Sequence, residues 1–448
     1  MKINDEIQVK VEKFADSGIA RYDGLVIFIR DACPEDVVKI QITKVNKNWA
    51  EAKIVDIIRP SRYRAAPFCP MHKVCGSCQL QYITYPYQLR IKKNIVEDAI
   101  YKIGEIETEI RDVIPSPEIR AYRHKVQYPI SQTKVSKRIL AGYYKLKTHE
   151  VVNIKYCPIQ PLICDKIIEF IRVIATEFNI LGYDEKNHIG DLRHVILRVS
   201  RYTGQVLVTL VVNSTKISER IKGFAKNIYE KFDKVSGVCV NFNSKKTNVI
   251  MGEKSECAIG DAFLKEKILD KEFKIGSTSF FQVNPYTAEN IFKFVREYIK
   301  NNFDSPVVLD AYAGISAFGV IVSDVAKKVV SVEENPEAVS LAKETMFLNR
   351  IDNIEVHNKD TQNYLEKENT KFDVTIIDPP RKGCTQEVLD GILRLTEKKI
   401  IYVSCNPSTL ARDLKYLVEK GAKVEFVQPF DMFCHTKHVE CVSVINLR

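Results

Sequence analysis

The sequence predicts a multidomain chain with an OB-like β-barrel at its N-terminus, an α+β middle domain and a C-terminal Rossmann-like α/β domain. Three observations carry that reading. Residues 1 to about 60 alternate apolar and polar positions between Gly and Asp punctuation, the period of half-buried strands. From there to about residue 265, short strand patterns mix with helical ones. From Pro306 onward, short apolar runs alternate with amphipathic stretches, as in a doubly wound sheet. The 448 residues exceed one typical domain of about 100 to 200, and 45% apolar residues can fill more than one core.

The barrel rests on Ile7-Gln-Val-Lys-Val-Glu, Gly24-Leu-Val-Ile-Phe-Ile and Val37-Val-Lys-Ile-Gln-Ile. Arg59-Pro-Ser-Arg-Tyr-Arg and Ala66-Pro67 then mark a boundary before a cysteine-rich stretch. Helices are expected over 87–106, 164–178 and 218–232. In the last domain, strands are expected at 307–310, 328–333, 354–358, 373–378 and 399–404, then at 423–429 and 439–446 with no long helix between those two. An ending of two adjacent strands suits a methyltransferase-type sheet better than a dinucleotide-binding one. The first 13 residues lack the apolar core of a leader peptide, and the longest apolar stretch, 311–323, is too short for a bilayer. A cytoplasmic protein without a membrane segment is the expectation.

The formal charge is +10, and its distribution is more telling than its size. Residues 120–149 contain no acid, and they interleave Arg120, Arg123, Lys125, Lys134, Lys137, Arg138, Lys145 and Lys147 with Tyr122, Tyr128, Tyr143 and Tyr144. Cations beside ring faces suit a phosphate backbone and unstacked bases. Arg123 and Lys125 are therefore candidates for substrate binding, against the plainer reading of an exposed basic strand pair.

In open α/β sheets, ligands lie beyond the carboxyl ends of the strands. The first strand runs into Asp310-Ala-Tyr312-Ala-Gly314, and the second ends in Glu333, whose carboxylate can accept both hydroxyls of a ribose. Asp360 follows the third, placed for an adenine edge, and Asp378-Pro-Pro-Arg381 follows the fourth. Ser316 stands where a pyrophosphate-binding loop wants glycine, which favours S-adenosylmethionine over NAD. Each acid alone is more often a helix cap; their recurrence on successive strands argues for a site.

Cys405 lies between a strand and a helix start in Tyr402-Val-Ser-Cys-Asn-Pro407, where the helix end would lower its pKa. A thiolate there can add to C6 of a uracil, making the weakly nucleophilic C5 able to attack a methyl donor. A base must then remove the C5 proton. Glu440 and His438 are the two candidates. Twelve cysteines without a leader peptide point to metal or catalytic use rather than disulfides. Cys69, Cys75 and Cys78 share one loop, and Cys157, followed by proline, is preferred over Cys164 as the fourth ligand. Spacing alone leaves zinc, with His72 as a further ligand, level with an iron–sulfur cluster.

Several stretches together resemble the RumA-like bacterial 23S rRNA 5-methyluridine methyltransferases across nearly the whole chain. They are Cys75-Gly-Ser-Cys-Gln-Leu-Gln81 with Tyr85 and Gln88-Leu-Arg90, Asp191-Leu-Arg-His194, Phe280-Phe-Gln-Val-Asn284, Asp378-Pro-Pro-Arg-Lys-Gly383, Ser404-Cys-Asn-Pro407 with Leu410-Ala-Arg-Asp413, and His438-Val-Glu440. The resemblance implies that the barrel is a TRAM domain and that Cys69, Cys75, Cys78 and Cys157 hold a 4Fe-4S cluster. It implies S-adenosylmethionine contacts at Gln282, Tyr312, Glu333, Asp360 and Asp378, Cys405 as nucleophile, Glu440 as base, and Phe280 beside a flipped uracil. The chain departs from the family pattern at Ser316, at Cys434 where proline is usual, and at His124 where asparagine is usual.

The implied division is 1–60 as the TRAM barrel, 61–82 with 113–265 as an RNA-binding, iron–sulfur middle domain, and 83–112 with 266–448 as the S-adenosylmethionine-dependent methyltransferase domain. The implied partner is structured RNA, foremost 23S rRNA, met by a monomer. A tRNA 5-methyluridine methyltransferase shares the chemistry but is expected to lack barrel and cluster. A non-catalytic iron–sulfur RNA-binding protein is a second alternative, against which Cys405, Asp378 and Glu440 speak.

Overall fold

Alternating side chains curl the first six strands into a closed sheet. The computed structural model describes residues 1–447, and its first strands are Glu6–Lys10, Lys13–Phe14, Gly18–Tyr22, Leu25–Ile29, Val37–Val45 and Trp49–Arg59. Glu6–Lys10 pairs at one edge with Val37–Val45, and Lys13–Phe14 pairs at the other with Gly18–Tyr22. These two strands are halves of one bent segment, so the edges meet and a barrel results. Val38, Ile40 and Ile42 point inward while Lys39 stays in water, which fills the core with Val9, Val11, Ile27 and Ile29. Buried Asp36 ties the barrel to the segment leading out of it, accepting from Cys33 N at 2.7 Å and Ser61 N at 2.8 Å and pairing with Arg64.

The middle domain is a seven-stranded sheet in the order Val151–Asn153, Ile139–Tyr144, Lys125–Gln132, Leu192–Val199, Val206–Val212, Val235–Phe242, Lys254–Gly260. Only Val206–Val212 and Val235–Phe242 run parallel, joined through the helix Glu219–Lys231. That helix and Leu162–Glu177 pack their apolar faces on the sheet, and Cys75 and Cys78 press against the same core. The hairpin Phe263–Ile268 with Lys271–Gly276 bridges to the last domain: Leu264 packs with Leu207 and Cys239, whereas Phe273 and Ile275 join the C-terminal core.

The C-terminal sheet has eight strands in the order Ile354–Asn358, Lys328–Glu333, Val307–Ala311, Phe372–Ile377, Thr396–Ser404, Glu440–Asn446, Lys423–Phe430, Glu109–Ile110. The first five are parallel, and Glu440–Asn446 inserts antiparallel between its neighbours. Strand order reverses between Val307–Ala311 and Phe372–Ile377, the point at which such sheets open a ligand crevice. The helix Tyr85–Lys102 contributes Val96, Ala99 and Ile100 to this domain's core, beside Leu410 and Leu414 of the helix Pro407–Glu419.

On the helix Tyr85–Lys102 the fully buried Lys92 pairs with the fully buried Asp431 and donates to Phe433 O at 2.9 Å. Removing one partner of such a pair strands a charge in a low dielectric. Lys92→Met should therefore cost about 3–5 kcal/mol. A Lys92→Met/Asp431→Leu double variant should recover most of that loss, with both read by calorimetric unfolding.

Candidate active site

The strand ends place four acids round the crevice. Asp310 is buried and accepts from Gly319 N at 2.9 Å; burial, with the charges of Asp378 and Glu333 added, pushes its pKa up to about 7. Glu333 binds the backbone on both oxygens, from Gly314 N and Asn335 N, each at 2.8 Å. Between them, Tyr312, Gly314 and Ser316 all take positive φ, near 60, 57 and 58°. Two of these are not glycine, a strain concentrated at a functional loop. Asp360 caps the helix Thr361–Lys367, accepting from Asn363 N at 3.0 Å.

Ser316 departs from the family pattern without filling the crevice. It is buried, and its hydroxyl bonds that of Ser331 at 2.7 Å. The room comes from Gly319, where a Cβ would stand 2.4 Å from Ser316 Oγ and 2.8 Å from Ser331 Oγ.

Further along the sheet, Ser404 pairs with Cys441, so the next residues out, Cys405 and Glu440, face one another at the strand ends. Glu440 is 2% exposed, and burial raises its pKa well above the usual carboxylate range, with Asp378 adding and Arg381 opposing. Asp378 itself is pushed up to about 7 by burial. Asn406 caps the helix Pro407–Glu419 and donates to Arg381 O at 3.1 Å, where Thr409 also donates at 3.2 Å. The Cys405 thiol is not lowered as the helix end suggested. Burial first, then Glu440 and Asp378, push it up to about 11, while the charge and hydrogen bond of Arg381 pull the other way. The residue sits before the cap, outside the helix, where desolvation outweighs the dipole.

Residues 184–447 match the family described as tRNA (Uracil-5-)-methyltransferase, and residues 2–55 match the TRAM domain. The chain belongs to the RNA (uracil-5-)-methyltransferase family. An RNA methyltransferase of Clostridium tetani is 38% identical over 436 residues, covering 96% of this chain and 93% of its own. One from Halalkalibacterium halodurans is 35% identical over 451 residues, covering 99% and 98%. The crystal structure of the Pyrococcus abyssi tRNA (uracil-54, C5)-methyltransferase with S-adenosyl-L-homocysteine has 26% identity and a TM-score of 0.76, covering 98% of this chain and all of its own. The barrel is thus the TRAM domain of an S-adenosylmethionine-dependent RNA methyltransferase. Because a tRNA enzyme matches the chain's whole length, the barrel does not separate ribosomal from transfer RNA enzymes, contrary to the expectation from sequence.

In this methyltransferase Phe280 is 59% exposed on the loop before the helix Pro285–Asn302. Gln282, on the same loop, lines a cavity with His124, Lys125, Arg198 and Glu266; its lining includes none of Tyr312, Glu333, Asp360 and Asp378. The tyrosines of the basic stretch need correction. Tyr122, Tyr128 and Tyr143 are buried in the middle core, Tyr128 and Tyr143 because the alternation of the sheet turns them inward and Tyr122 from the loop before the strand Lys125–Gln132, and Tyr144 alone of the four is exposed. Arg123, Tyr144, Lys145, Lys147 and His194 line an open groove with Gly76 and Ser77.

Cys69, Cys75, Cys78 and Cys157 line one cavity with His72, Gln81 and Tyr143. Cys164 is absent from it, being buried on the apolar face of its own helix Leu162–Glu177. Burial pushes the Cys78 thiol up to about 12, opposed by Arg123, and raises Cys69 and Cys157. Among the described residues neither buried His72 ring nitrogen finds a hydrogen-bond partner, and Nε2 lies 3.8 Å from Asp31 Oδ1. Among the described residues no three His, Cys, Asp or Glu side chains converge as on a single metal ion.

Arg381 is the site residue that sequence reasoning left without a role, although it stands three positions after Asp378 in Asp378-Pro-Pro-Arg381. Its influence on the thiol is measurable. Alkylation of Cys405 by iodoacetamide, followed by mass spectrometry, should rise with pH towards an apparent pKa of about 11. Arg381→Gln should move that midpoint up and Glu440→Gln should move it down, each by roughly one unit.

Proposed function

We propose that the enzyme methylates C5 of a uridine in 23S rRNA through a covalent bond between Cys405 and C6. The observation that carries the reading is the facing of Cys405 and Glu440 across adjacent strand ends, with Arg381 beside the thiol and Asp378 beside the acid. The Cys405 sulfur adds to C6 and electron density moves to C5, which forms the new carbon–carbon bond. Glu440 then takes the C5 proton, the C5–C6 double bond re-forms and the sulfur leaves with its electron pair. S-adenosylmethionine would supply the electrophilic methyl on a positively charged sulfur, whose bond to that methyl breaks as the carbon–carbon bond forms and which departs as a neutral thioether.

Arg381 supports the thiolate form of Cys405. Burial keeps Glu440 a strong base once ionised, and a cationic ligand beside Asp378 favours that ionisation. His438 is held down to about 4 by burial and by Arg381, which makes it the weaker base of the two. Tyr312, Glu333, Asp360 and Asp378 at the strand ends, with Gln282, would hold the cofactor. Phe280 would stack on the flipped base, and Arg123 and Lys125 would meet the RNA backbone. The domain division 1–60, 61–82 with 113–265, and 83–112 with 266–448 belongs to the same proposal, as does action by a cytoplasmic monomer. Among the described residues no helix is long and apolar enough to cross a membrane.

The four cavity thiols fit a 4Fe-4S cluster as an all-thiolate donor set. A cluster there would be held by Cys69, Cys75, Cys78 and Cys157. Protein purified without oxygen should be brown and contain iron and sulfide in equal amounts. Cys157→Ser should lower both, and stoichiometric zinc in their place would refute the assignment.

The second substrate reading is tRNA, favoured by the full-length likeness to the Pyrococcus abyssi enzyme. One experiment decides between them. Fluorine at C5 blocks proton removal, so 5-fluorouridine-containing 23S rRNA and tRNA are each mixed with enzyme and S-adenosylmethionine. A denaturation-resistant adduct is expected with 23S rRNA and none with Cys405→Ala. An adduct on tRNA alone would move the assignment to tRNA, and none on either would sink the covalent route.

A further inference from the structure

The sheet of the middle domain places two cations face to face. Lys125 and Arg198 are direct partners in the antiparallel pairing of Lys125–Gln132 with Leu192–Val199. Like charges directly opposite one another destabilise a sheet, so the pairing needs a reason. Arg198 is 4% exposed; it donates to Ser279 O, and its Nε is buried with no partner at all.

Among the described residues no acid forms a salt bridge with either cation. Glu266 lines the same cavity but spends its carboxylate on the backbone N–H groups of Arg201, Tyr202 and Lys267. Glu337, the one acid whose charge reaches Arg198, accepts from the Thr278 hydroxyl. The charges acting on Lys125 are those of Arg198 and Arg123, both cationic. His124, the remaining titratable group of the lining, is kept neutral by burial. The cavity itself measures about 20 Å³ and opens to solvent at its mouth. Repulsion from Arg198, then burial, lowers Lys125 to about 7, and burial lowers Arg198 to about 10 against the opposing charge of Glu337.

We propose that Lys125 and Arg198 form a phosphodiester-binding subsite that grips the RNA backbone at the nucleotide whose base lies on Phe280. The inference deepens the proposed function and rests on its placing of the target base. Ser279, whose carbonyl Arg198 holds, directly precedes Phe280. A nucleotide drawn out of its stack carries its own phosphate a few ångströms from its base, so one nucleotide spans both contacts. Two fixed donors without an acid match a phosphate's oxygens. The cavity shares Gln282 with the donor's contacts but includes none of the strand-end acids, so the donor's carboxylate is the competing occupant that the test separates.

The test uses full-length enzyme and whichever RNA forms the 5-fluorouridine adduct. Binding is measured over a range of salt concentrations for wild type, Arg198→Gln and Lys125→Gln. Each variant should bind about tenfold more weakly at moderate salt, and its log–log salt slope should fall by about 0.7 to 0.9. Affinity for S-adenosylmethionine should be unchanged, which also shows that each variant is folded; Lys125→Gln serves if Arg198→Gln does not fold. Retained RNA affinity and slope in folded Lys125→Gln would overturn the subsite. So would a loss of S-adenosylmethionine affinity with RNA binding intact, which would assign the cations to the donor's carboxylate. Inorganic phosphate, compared with chloride at equal ionic strength, separates the remaining source. It should leave the wild-type melting temperature where chloride does, and a phosphate-specific rise lost in both variants would mean a free-anion site instead. Absence of any adduct would sink the proposed function, whereas an adduct with unaltered variant binding sinks the subsite alone.

Discussion

The buried pair of Lys92 with Asp431 fixes the loop 431–438, and the domains meet on that loop. Lys92 reaches it from the helix Tyr85–Lys102, and Gln88 on the same helix lies 3.3 Å from the His435 ring. The middle domain reaches it through Tyr122, whose hydroxyl donates to Cys434 O at 2.9 Å, and through Ile119 O, 2.9 Å from His435 Nε2. Leu80, two residues after the last cysteine of the Cys69–Cys78 loop, donates its N–H to His435 O at 2.9 Å. Thr287 at the start of the helix Pro285–Asn302 donates to Asp431 O at 3.1 Å. The charge pair contributes little net energy against an apolar equivalent. It does fix one arrangement of elements far apart in sequence, and Glu440 begins its strand two residues beyond that loop.

Electrostatics at the strand ends arise from the same burial. Asp310, Asp378 and Glu440 are all pushed upward; burial alone acts on Asp378, whereas neighbouring acids further disfavour the ionisation of Asp310 and Glu440. Such a set cannot ionise independently. A ligand carrying positive charge relieves it; an anionic one would aggravate it. This crowding distinguishes the site from ordinary helix capping, and the acids divide accordingly. Asp360 caps a helix, Glu333 organises two backbone N–H groups, and Asp310 and Asp378 are the strand-end carboxyls raised to about 7.

The last domain was legible because its strands are short, apolar and separated by amphipathic helices. The strands expected at 328–333 and 354–358 occur as Lys328–Glu333 and Ile354–Asn358, and the terminal pair occurs without an intervening helix. The helix expected at 87–106 is Tyr85–Lys102, shifted because Pro86 suits a first turn and Gly104 lies just past the last. What local sequence did not carry was direction across the sheet. The basic stretch 120–149 reads as rings beside cations, yet the pleat sends Tyr128 and Tyr143 inward and the loop before the strand buries Tyr122 with them. Likewise the Cys405 neighbourhood shows a helix start but not the depth of the thiol or the approach of Glu440 from a distant strand, and these set its pKa. Arg198 was silent because only strand pairing reveals that it faces Lys125.

The cavity of the cysteines and the basic groove share a wall, which gives Arg123 two constraints at once. Gly76 and Ser77 line the groove while their neighbours Cys75 and Cys78 line the cavity, and Gly76 can hold that position because a Cβ there would lie 2.8 Å from Leu146 Cα. Arg123 lines the groove, and its charge, with the hydrogen bond of Gln81, partly offsets the rise that burial imposes on the Cys78 thiol. Four thiolates gathered in the cavity would place negative charge directly behind the surface that phosphates must approach. In a low dielectric that repulsion is large. A guanidinium between the two, always charged and able to donate in several directions, offsets the thiolates behind it and still presents donors to the groove. A lysine could not divide itself in that way, so the position favours arginine on physical grounds alone.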